Sequence, residues 1–197
     1  LPVSTLAITP PGTNIDNTAT ASFDVGGPAI NVNSNTETVT STIIGTPSTV
    51  TFYQYDSTGG GTLNEEVPTQ HATSGPPGAG FVVSPNPVIP LPGVGATVLD
   101  PNTMISMNPV DVYHAGEPVF ILLEDLDQNL NLGVQETIIV TVTSSTGDLE
   151  ELILTETGVD TGNFIGFVQS TSNIVTNHDG TLSIGADSQI TVNYVDR

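Results

Sequence analysis

A short acidic stretch of this sequence places an oxygen-bearing side chain at every second position. Its members are Asp125, Asp127, Asn129 and Asn131. Oxygen donors in this D-x-D-x-N spacing open loops that bind calcium, an ion that prefers carboxylate and amide oxygens. An EF-hand loop also needs Gly at its sixth position and Glu at its twelfth. Glu136 meets the second requirement but Leu130 stands at the sixth position, so an EF-hand is excluded and a calcium site at a sandwich edge stays open.

A second acidic turn offers further oxygen ligands. Glu156 and Asp160 stand beside Gly158 and Gly162, which bracket a tight loop. If both turns lie at the same end of the fold, their carboxylates can share one calcium ion. The alternative for both turns is structural, because Asp and Asn side chains also accept hydrogen bonds from the backbone of turns. The sequence leaves calcium binding and turn formation open.

Catalytic chemistry lacks its usual residues in this chain. There is no Lys and no Cys, which excludes Schiff bases, a P-loop and a cysteine nucleophile. The three histidines, His71, His114 and His178, are far apart in the sequence, and we expect them to be exposed in loops rather than to bind zinc. No G-x-S-x-G motif is present. We therefore predict that the protein is not an enzyme.

The charge balance of the chain is strongly acidic. Asp and Glu number 21, Arg197 is the one basic residue, and the formal net charge is −20. Such a chain repels nucleic acid and anionic lipid, so we expect neither as a partner, whereas it attracts hard cations such as calcium. No apolar run of about 18 residues is present, which predicts no membrane insertion. A Thr-rich chain without Cys or Lys is typical of an extracellular, cell-surface protein.

Apolar and β-branched residues alternate with period two along much of the chain. Ile138, Val140 and Val142 share one face of a predicted strand, as in a half-buried sheet. Turn residues separate the predicted strands, which span 50–55, 104–107, 118–123, 136–144, 149–156, 163–169, 181–184 and 189–195. The seven strands after residue 103, without helical periodicity, predict an all-β fold, an immunoglobulin-like β-sandwich. We expect residues 119–143 to form a hairpin with the acidic turn at its tip.

Gly and Pro residues divide the chain into three parts. Residues 1–45 contain extended strands, including a hairpin of 18–25 with 29–44. Residues 46–110 contain the predicted strands 50–55 and 104–107 and, between them, a long Gly/Pro-rich loop, 56–103, since no regular helix tolerates that density of breakers. Residues 111–197 form the sandwich core block.

An ordered series of short motifs covers residues 113–196. A GE-x-V strand precedes the D-x-D-x-N turn, a V-T-V-T strand, a TETG-x-x-TG-x-F turn and a closing I-x-V-x-Y-x-D strand, and an N-T-A-T-x-S segment stands upstream. With these motifs the chain resembles immunoglobulin-like β-sandwich repeat domains of secreted prokaryotic cell-surface and envelope proteins. The resemblance implies building blocks of surface layers, adhesins or filaments, without catalysis.

The N-terminal residues suggest how such building blocks join. Small and apolar side chains alternate there with polar ones, so an extended segment can complete an open sheet of a neighbouring copy by β-strand addition. The predicted assembly residues are Leu6, Ile8, Ala19, Ala21, Phe23, Val25, Ile30 and Val32. Residues 1–44 can equally complete the sheet of their own chain, since edge strands need cover.

Two functions follow as expectations. The first is a structural subunit of an extracellular prokaryotic surface assembly, a pilus-like filament or surface layer, whose partner is another copy of the same chain and which calcium stabilises. The alternative is a calcium-dependent adhesin or ligand-binding module of a larger surface protein. In that case residues 56–103 would recognise a host or cell-surface ligand.

Overall fold

Two compact units make up the chain. In the computed structural model they comprise Leu1–Ile44 and Gly45–Arg197. The structure describes residues 14–23, 26–27, 30–34, 36–40, 45, 47–73, 82–87 and 98–196. Each unit is described below by itself.

The N-terminal unit consists of two short antiparallel ribbons. β2 (Thr20–Phe23) pairs with β3 (Ile30–Asn33), and β1 (Asn14–Asn17) pairs with β4 (Glu37–Thr40). The predicted hairpin therefore exists, but its second arm is divided into β3 and β4, because β4 pairs with β1 in a register shifted by one residue from that of β2 and β3.

The predicted assembly residues of this unit fall partly on the ribbons. In the β2–β3 register Ala21 lies opposite Val32 and Phe23 lies opposite Ile30. Ala19 directly precedes β2 and is exposed. Leu6, Ile8 and Val25 lie outside the described residues.

The second unit contains the remaining strands of the described chain. They are β5 (Thr49–Tyr55), β6 (Leu63–Glu65), β7 (Gln70–Ala72), β8 (Val83–Pro85), β9 (Ile105–Pro109), β10 (Pro118–Glu124), β11 (Thr137–Ser144), β12 (Leu149–Glu156), β13 (Asn163–Thr171), β14 (Thr181–Ser183) and β15 (Ile190–Tyr194). They follow one hydrogen-bonded order, β15-β11-β12-β13-β10-β5-β9-β6. β14 adds to β13, and β7 lies between β12 and β8. All of these pairings are antiparallel except that of β13 with β14.

This order folds into two layers because β12 changes partner along its length. Its residues 149–155 pair with β11, whereas only Thr155 and Glu156 pair with β13. The two arms therefore face each other and share a core. Its fully buried members are Val119, Ile121 and Leu123 of β10, Val140 and Val142 of β11, Leu152 and Leu154 of β12, Phe164 and Val168 of β13, and Leu182 of β14. The predicted all-β sandwich is confirmed, and its immunoglobulin-like topology stays a prediction.

A second apolar cluster covers the opposite face of β10 and β13. Phe120 and Phe167 pack there against Val67, Ile105 and Met107. Val67 comes from the Gly/Pro-rich region, and the described part of that region also forms β6, β7 and β8. Three-residue strands are too short for periodicity to show them in the sequence, and the long Gly/Pro-rich loop predicted over 56–103 contains these three short strands.

The exposure predicted for His71 is wrong. This residue lies on β7 and is 5% exposed, and its Nδ1 is 3.1 Å from Asn86 Oδ1. The Asn86 amide in turn donates to the backbone carbonyl of Phe167. His71 thus belongs to a hydrogen-bonded chain that reaches β13, although local sequence placed it in a loop.

The segment 119–143 is not the hairpin that the sequence predicted. β10 pairs with β5 and β13, while β11 pairs with β12 and β15, so the two strands belong to different layers. Residues 125–136 between them are too long for a tight turn and cross from one layer to the other. Within the described residues, no helix is long and apolar enough to span a membrane.

Candidate functional site

The acidic turn begins where β10 ends. Asp125 caps a short 3-10 helix, Leu126–Gln128, and its Oδ1 accepts a hydrogen bond from the Asp127 N–H at 3.2 Å. The Asp125 N–H donates to the carbonyl of Gly162 at 2.8 Å. These two bonds fix the carboxylate of Asp125 at the end of the sandwich, next to the second acidic turn.

Three carboxylates converge at this point. Asp125, Asp127 and Asp196 each offer an oxygen, and the three oxygens lie within 4.8 Å of one another. Asp196 follows β15, which runs antiparallel to β11 with Tyr194 opposite Val140. The C-terminal end of β15 therefore reaches the start of β11, where the acidic turn ends.

The environment of Asp125 disfavours an isolated negative charge. The residue is 1% exposed, and its Oδ2 is buried without a hydrogen-bond partner. Burial raises the pKa of Asp125 to about 6, the neighbouring Asp127 raises it as well, and the Tyr194 hydroxyl lowers it. Tyr194 approaches the carboxylate without forming a hydrogen bond, and burial followed by Asp125 raises the pKa of its hydroxyl. A cation at this point would stabilise the ionised carboxylate.

Glu136 and Asn131, which the sequence offered as ligands, hold the backbone of the loop. Glu136 Oε2 accepts from the N–H groups of Leu130 at 2.6 Å and Asn131 at 3.1 Å. The Asn131 Oδ1 accepts from the Gly133 N–H at 3.2 Å. Both side chains therefore act in the way that the structural alternative predicts for turns.

Glu156 organises the second turn. It is 1% exposed, its Oε1 accepts from the N–H groups of Thr161 at 2.8 Å and Gly162 at 2.9 Å, and its Oε2 accepts from the Glu136 N–H at 3.1 Å. Burial alone would raise the pKa of Glu156, but these backbone donors lower it below its ordinary value. Glu156 is thus held as a carboxylate by the backbone.

The two acidic turns meet at one end of the sandwich. The Asn129 amide donates to Asp160 Oδ1 at 2.7 Å. Of the predicted ligands, Asp125 and Asp127 join the carboxylate cluster, whereas Asn129, Asn131, Glu136, Glu156 and Asp160 bind the backbone or each other. Asp196 was absent from the prediction. Asp196 reaches the cluster because the last strand pairs with β11, and the sequence alone does not show that pairing.

The three histidines do not come together at this cluster. The side chain of His114 is 83% exposed, with Nδ1 3.4 Å from Glu117 Oε1, which confirms its predicted exposure. His178 lies in the loop before β14, with Nδ1 3.8 Å from Glu151 Oε2. Neither belongs to the group that combines Asp125, Asp127 and Asp196.

A second feature of this unit is the edge of the sheet at β15. The Ser145 N–H donates to the carbonyl of Gln189 at 2.9 Å, and hydrogen-bonded positions alternate along an antiparallel pair. The backbone groups of Thr191 and Asn193 therefore also face β11, and those of Ile190 and Val192 point away from it. Within the described part of the chain, no strand pairs with that outer edge.

A groove of about 600 Å³ opens beside the start of β15. Its apolar lining includes Ile184, Ile190, Phe52 and Tyr113. The two aromatic rings meet edge to face at 6.4 Å between centroids. Phe52, Tyr113 and Ile190 are only half-buried although they pack on the main core, so the sandwich is not fully closed along this side.

Neither the models of known protein families nor the curated proteins match this chain.

Proposed function

We propose that this protein is a structural subunit of an extracellular prokaryotic surface assembly, a filament or surface layer, whose copies join by β-strand addition. The observation that carries the proposal is the outer edge of β15, which pairs with no strand of the described residues and lies beside a groove of half-buried apolar side chains. The acidic, Thr-rich composition and the resemblance to surface-protein repeats support the extracellular location.

The edge of β15 has the properties of an acceptor for one more strand. The N–H and C=O groups of Ile190, Val192 and Tyr194 face outward and can bond to an added backbone. The side chains of the same residues point to the core, where an added strand would bury them further. An added strand would therefore form hydrogen bonds with the outward backbone groups and would bury the apolar side chains of β15.

The donor that fits this edge is the N-terminal stretch of a second copy. Residues 1–15 carry no charged side chain, and Leu6 and Ile8 are spaced two residues apart, as Ile190 and Val192 are on the acceptor. Asp111 and Asp187 line the groove and would repel an acidic donor in a chain of net charge −20.

The acceptor edge is tested with a proline that blocks pairing but leaves the fold intact. The Val192 N–H faces outward, so Val192→Pro removes a donor from the open edge and none from the ladder with β11. We expect the wild-type chain to form fibres or sheets in electron microscopy, and the variant to stay monomeric in sedimentation. Thr191→Ala, whose backbone faces β11 and whose side chain is exposed, is the control that should assemble. Equal assembly of wild type and Val192→Pro would refute β15 as the acceptor.

The donor segment is tested with two variants of residues 1–15, each of which adds one negative charge to a different face of the extended strand. Ile8→Asp puts a carboxylate where an apolar side chain would enter the acidic groove and should abolish assembly. Thr9→Asp adds the same charge on the alternate face of an extended strand and should assemble. If the two variants assemble equally, residues 1–15 are not the donor. Monodisperse monomers of the wild type at every concentration would overturn the assembly and favour the adhesin.

A further inference from the structure

The cluster of Asp125, Asp127 and Asp196 contains a buried oxygen with no hydrogen-bond partner. Asp125 is 1% exposed, and its Oδ2 is buried and accepts no hydrogen bond. The Asp127 and Asp196 carboxylates lie beside the Asp125 carboxylate, with one oxygen atom of each of the three within 4.8 Å of the others. Carboxylates at such distances repel one another unless a positive charge lies between them.

We infer that a calcium ion binds between Asp125, Asp127 and Asp196. Calcium–oxygen distances are about 2.4 Å, so two oxygens on one ion are separated by at most about 4.8 Å, and the three carboxylate oxygens lie within that limit. All of its donors are oxygens, which favours a hard cation over zinc or copper. The Oδ1 of Asn129, in the same turn, is also buried without a hydrogen-bond partner.

The ion fastens the last strand of the sandwich. Asp196 stands two residues beyond Tyr194, the end of β15, whereas Asp125 and Asp127 belong to the crossover between β10 and β11. β15 has β11 as its one partner strand in the described chain, so its end is free to fray unless a further bond holds it. The calcium site does not depend on the proposed function. The further claim that calcium promotes assembly by holding the acceptor edge of β15 in place rests on the proposed function.

Besides a calcium ion, Arg197 is a second source of positive charge that could neutralise the three carboxylates. It follows Asp196 directly and is the one basic residue of the chain, and it lies outside the described residues. An arginine that neutralised the cluster would make a calcium ion unnecessary. The experiment therefore has to separate an arginine from a metal.

The test measures calcium binding and thermal stability of the full chain after removal of metal by EDTA. Calorimetry should give one calcium ion per chain, and calcium at about 5 mM should raise the Tm by about 3–8 °C if the affinity resembles that of extracellular modules. Asp196→Asn should weaken binding at least about tenfold, since one charged ligand is lost. Asp196 lies beyond the last strand, so this variant should fold.

Two control variants complete the design. Glu66→Gln removes one negative charge at an exposed position away from the cluster and should bind calcium as the wild type does. Calcium binding is also measured on Val192→Pro, which should not assemble. Retained binding in that variant separates the metal site from the proposed function, so failure of either one can be recognised.

Three outcomes would show that no metal ion binds between the three carboxylates. The first is a Tm that does not respond to calcium or EDTA. The second is equal calcium affinity in Asp196→Asn and the wild type. The third is a loss of stability in Arg197→Gln together with no effect of EDTA on the wild type. This result would mean that the arginine, and not a metal ion, neutralises the three carboxylates. An equal Tm shift with magnesium at the same concentration would overturn the choice of calcium.

Discussion

The side-chain amide of Asn129 donates a hydrogen bond to Asp160 Oδ1 at 2.7 Å and so joins two acidic turns that are distant in the sequence. The Asp125 N–H, bonded to the Gly162 carbonyl at 2.8 Å, is a second link between the same turns. One turn crosses between the layers and the other connects β12 to β13. Together they close the end of the sandwich at which Asp196 arrives.

Loss of the Asn129–Asp160 hydrogen bond should destabilise this end of the fold. We expect Asp160→Ala to lower the free energy of unfolding by about 1 kcal/mol, since an exposed hydrogen bond to a charged group has a modest net value. Asp160→Asn keeps the oxygen acceptor and should lose less than half as much. Urea denaturation of the three chains measures both values, and equal stability of Asp160→Ala and wild type would contradict the prediction.

Two neighbouring isoleucines of β11 should respond very differently to truncation. Ile138 is 7% exposed in the core, whereas Ile139 is 37% exposed on the outer face. Ile138→Ala should cost about 3 kcal/mol because it leaves a cavity, and Ile139→Ala should cost about 1 kcal/mol or less. Chemical denaturation of both variants is the measurement. Similar losses would mean that the outer face of β11 is covered by a partner under those conditions.

Gly166 of β13 should tolerate no side chain. A Cβ atom there would lie 2.5 Å from Leu154 Cδ2 and 2.9 Å from Thr69 Oγ1, and the latter accepts from the Phe167 N–H at 2.9 Å. Gly166→Ala should therefore lower stability by about 2 kcal/mol through overpacking. Gly185→Ala, whose Cβ would meet Ser188 Oγ at an ordinary 3.6 Å, serves as the control and should lose less than about 1 kcal/mol.

Glu150 should make stability fall as the pH rises. Its side chain is 0% exposed and accepts from the N–H groups of Asp179 at 3.1 Å and Gly180 at 2.9 Å. Burial raises its pKa from 4.5 to about 7, against the effect of these donors. The folded state then binds more protons than the unfolded chain between these values, so the contribution of Glu150 is present below pH 4.5 and is lost as the pH rises through about 7.

The measurement compares the wild type with Glu150→Gln, which cannot titrate at this position. Between about pH 5 and about pH 7.5 the wild type should lose more stability than the variant, by at most about 3 kcal/mol. Other groups titrate in both chains and cancel in the difference. Parallel stability curves of the two chains would show that Glu150 does not titrate in this range.

Much of the sandwich could be predicted from local pattern. The strand predicted at 149–156 is β12 with the same bounds, and the alternation of Ile138, Val140 and Val142 gives the buried face of β11. These strands are long enough for period two to repeat several times. β6 and β7 have three residues each, which is too few for any periodicity, and only their contacts with β9 and β12 identify them.

Two of the three carboxylates of the candidate site could be predicted from the sequence, because they belong to one local turn, and the third could not. The spacing of Asp125 and Asp127 is a local property of one turn, so the sequence singles out both. Asp196 belongs to the same cluster because β15 runs back along β11, and Glu156 does not join it because backbone N–H groups of its own turn bind both of its oxygens. Which carboxylate faces a cation and which one faces the backbone depends on contacts between distant segments.

The sequence by itself determined an acidic, Lys-free and Cys-free β-protein with two acidic turns, because composition and short-range alternation are sufficient for those properties. Tertiary structure alone decided that β10 and β11 lie in different layers, that His71 is buried, and that the outer edge of β15 pairs with no other strand that the structure describes. The physical reason is that strand pairing joins residues far apart in the chain. The energies that select one pairing over another come from burial and hydrogen bonds between them.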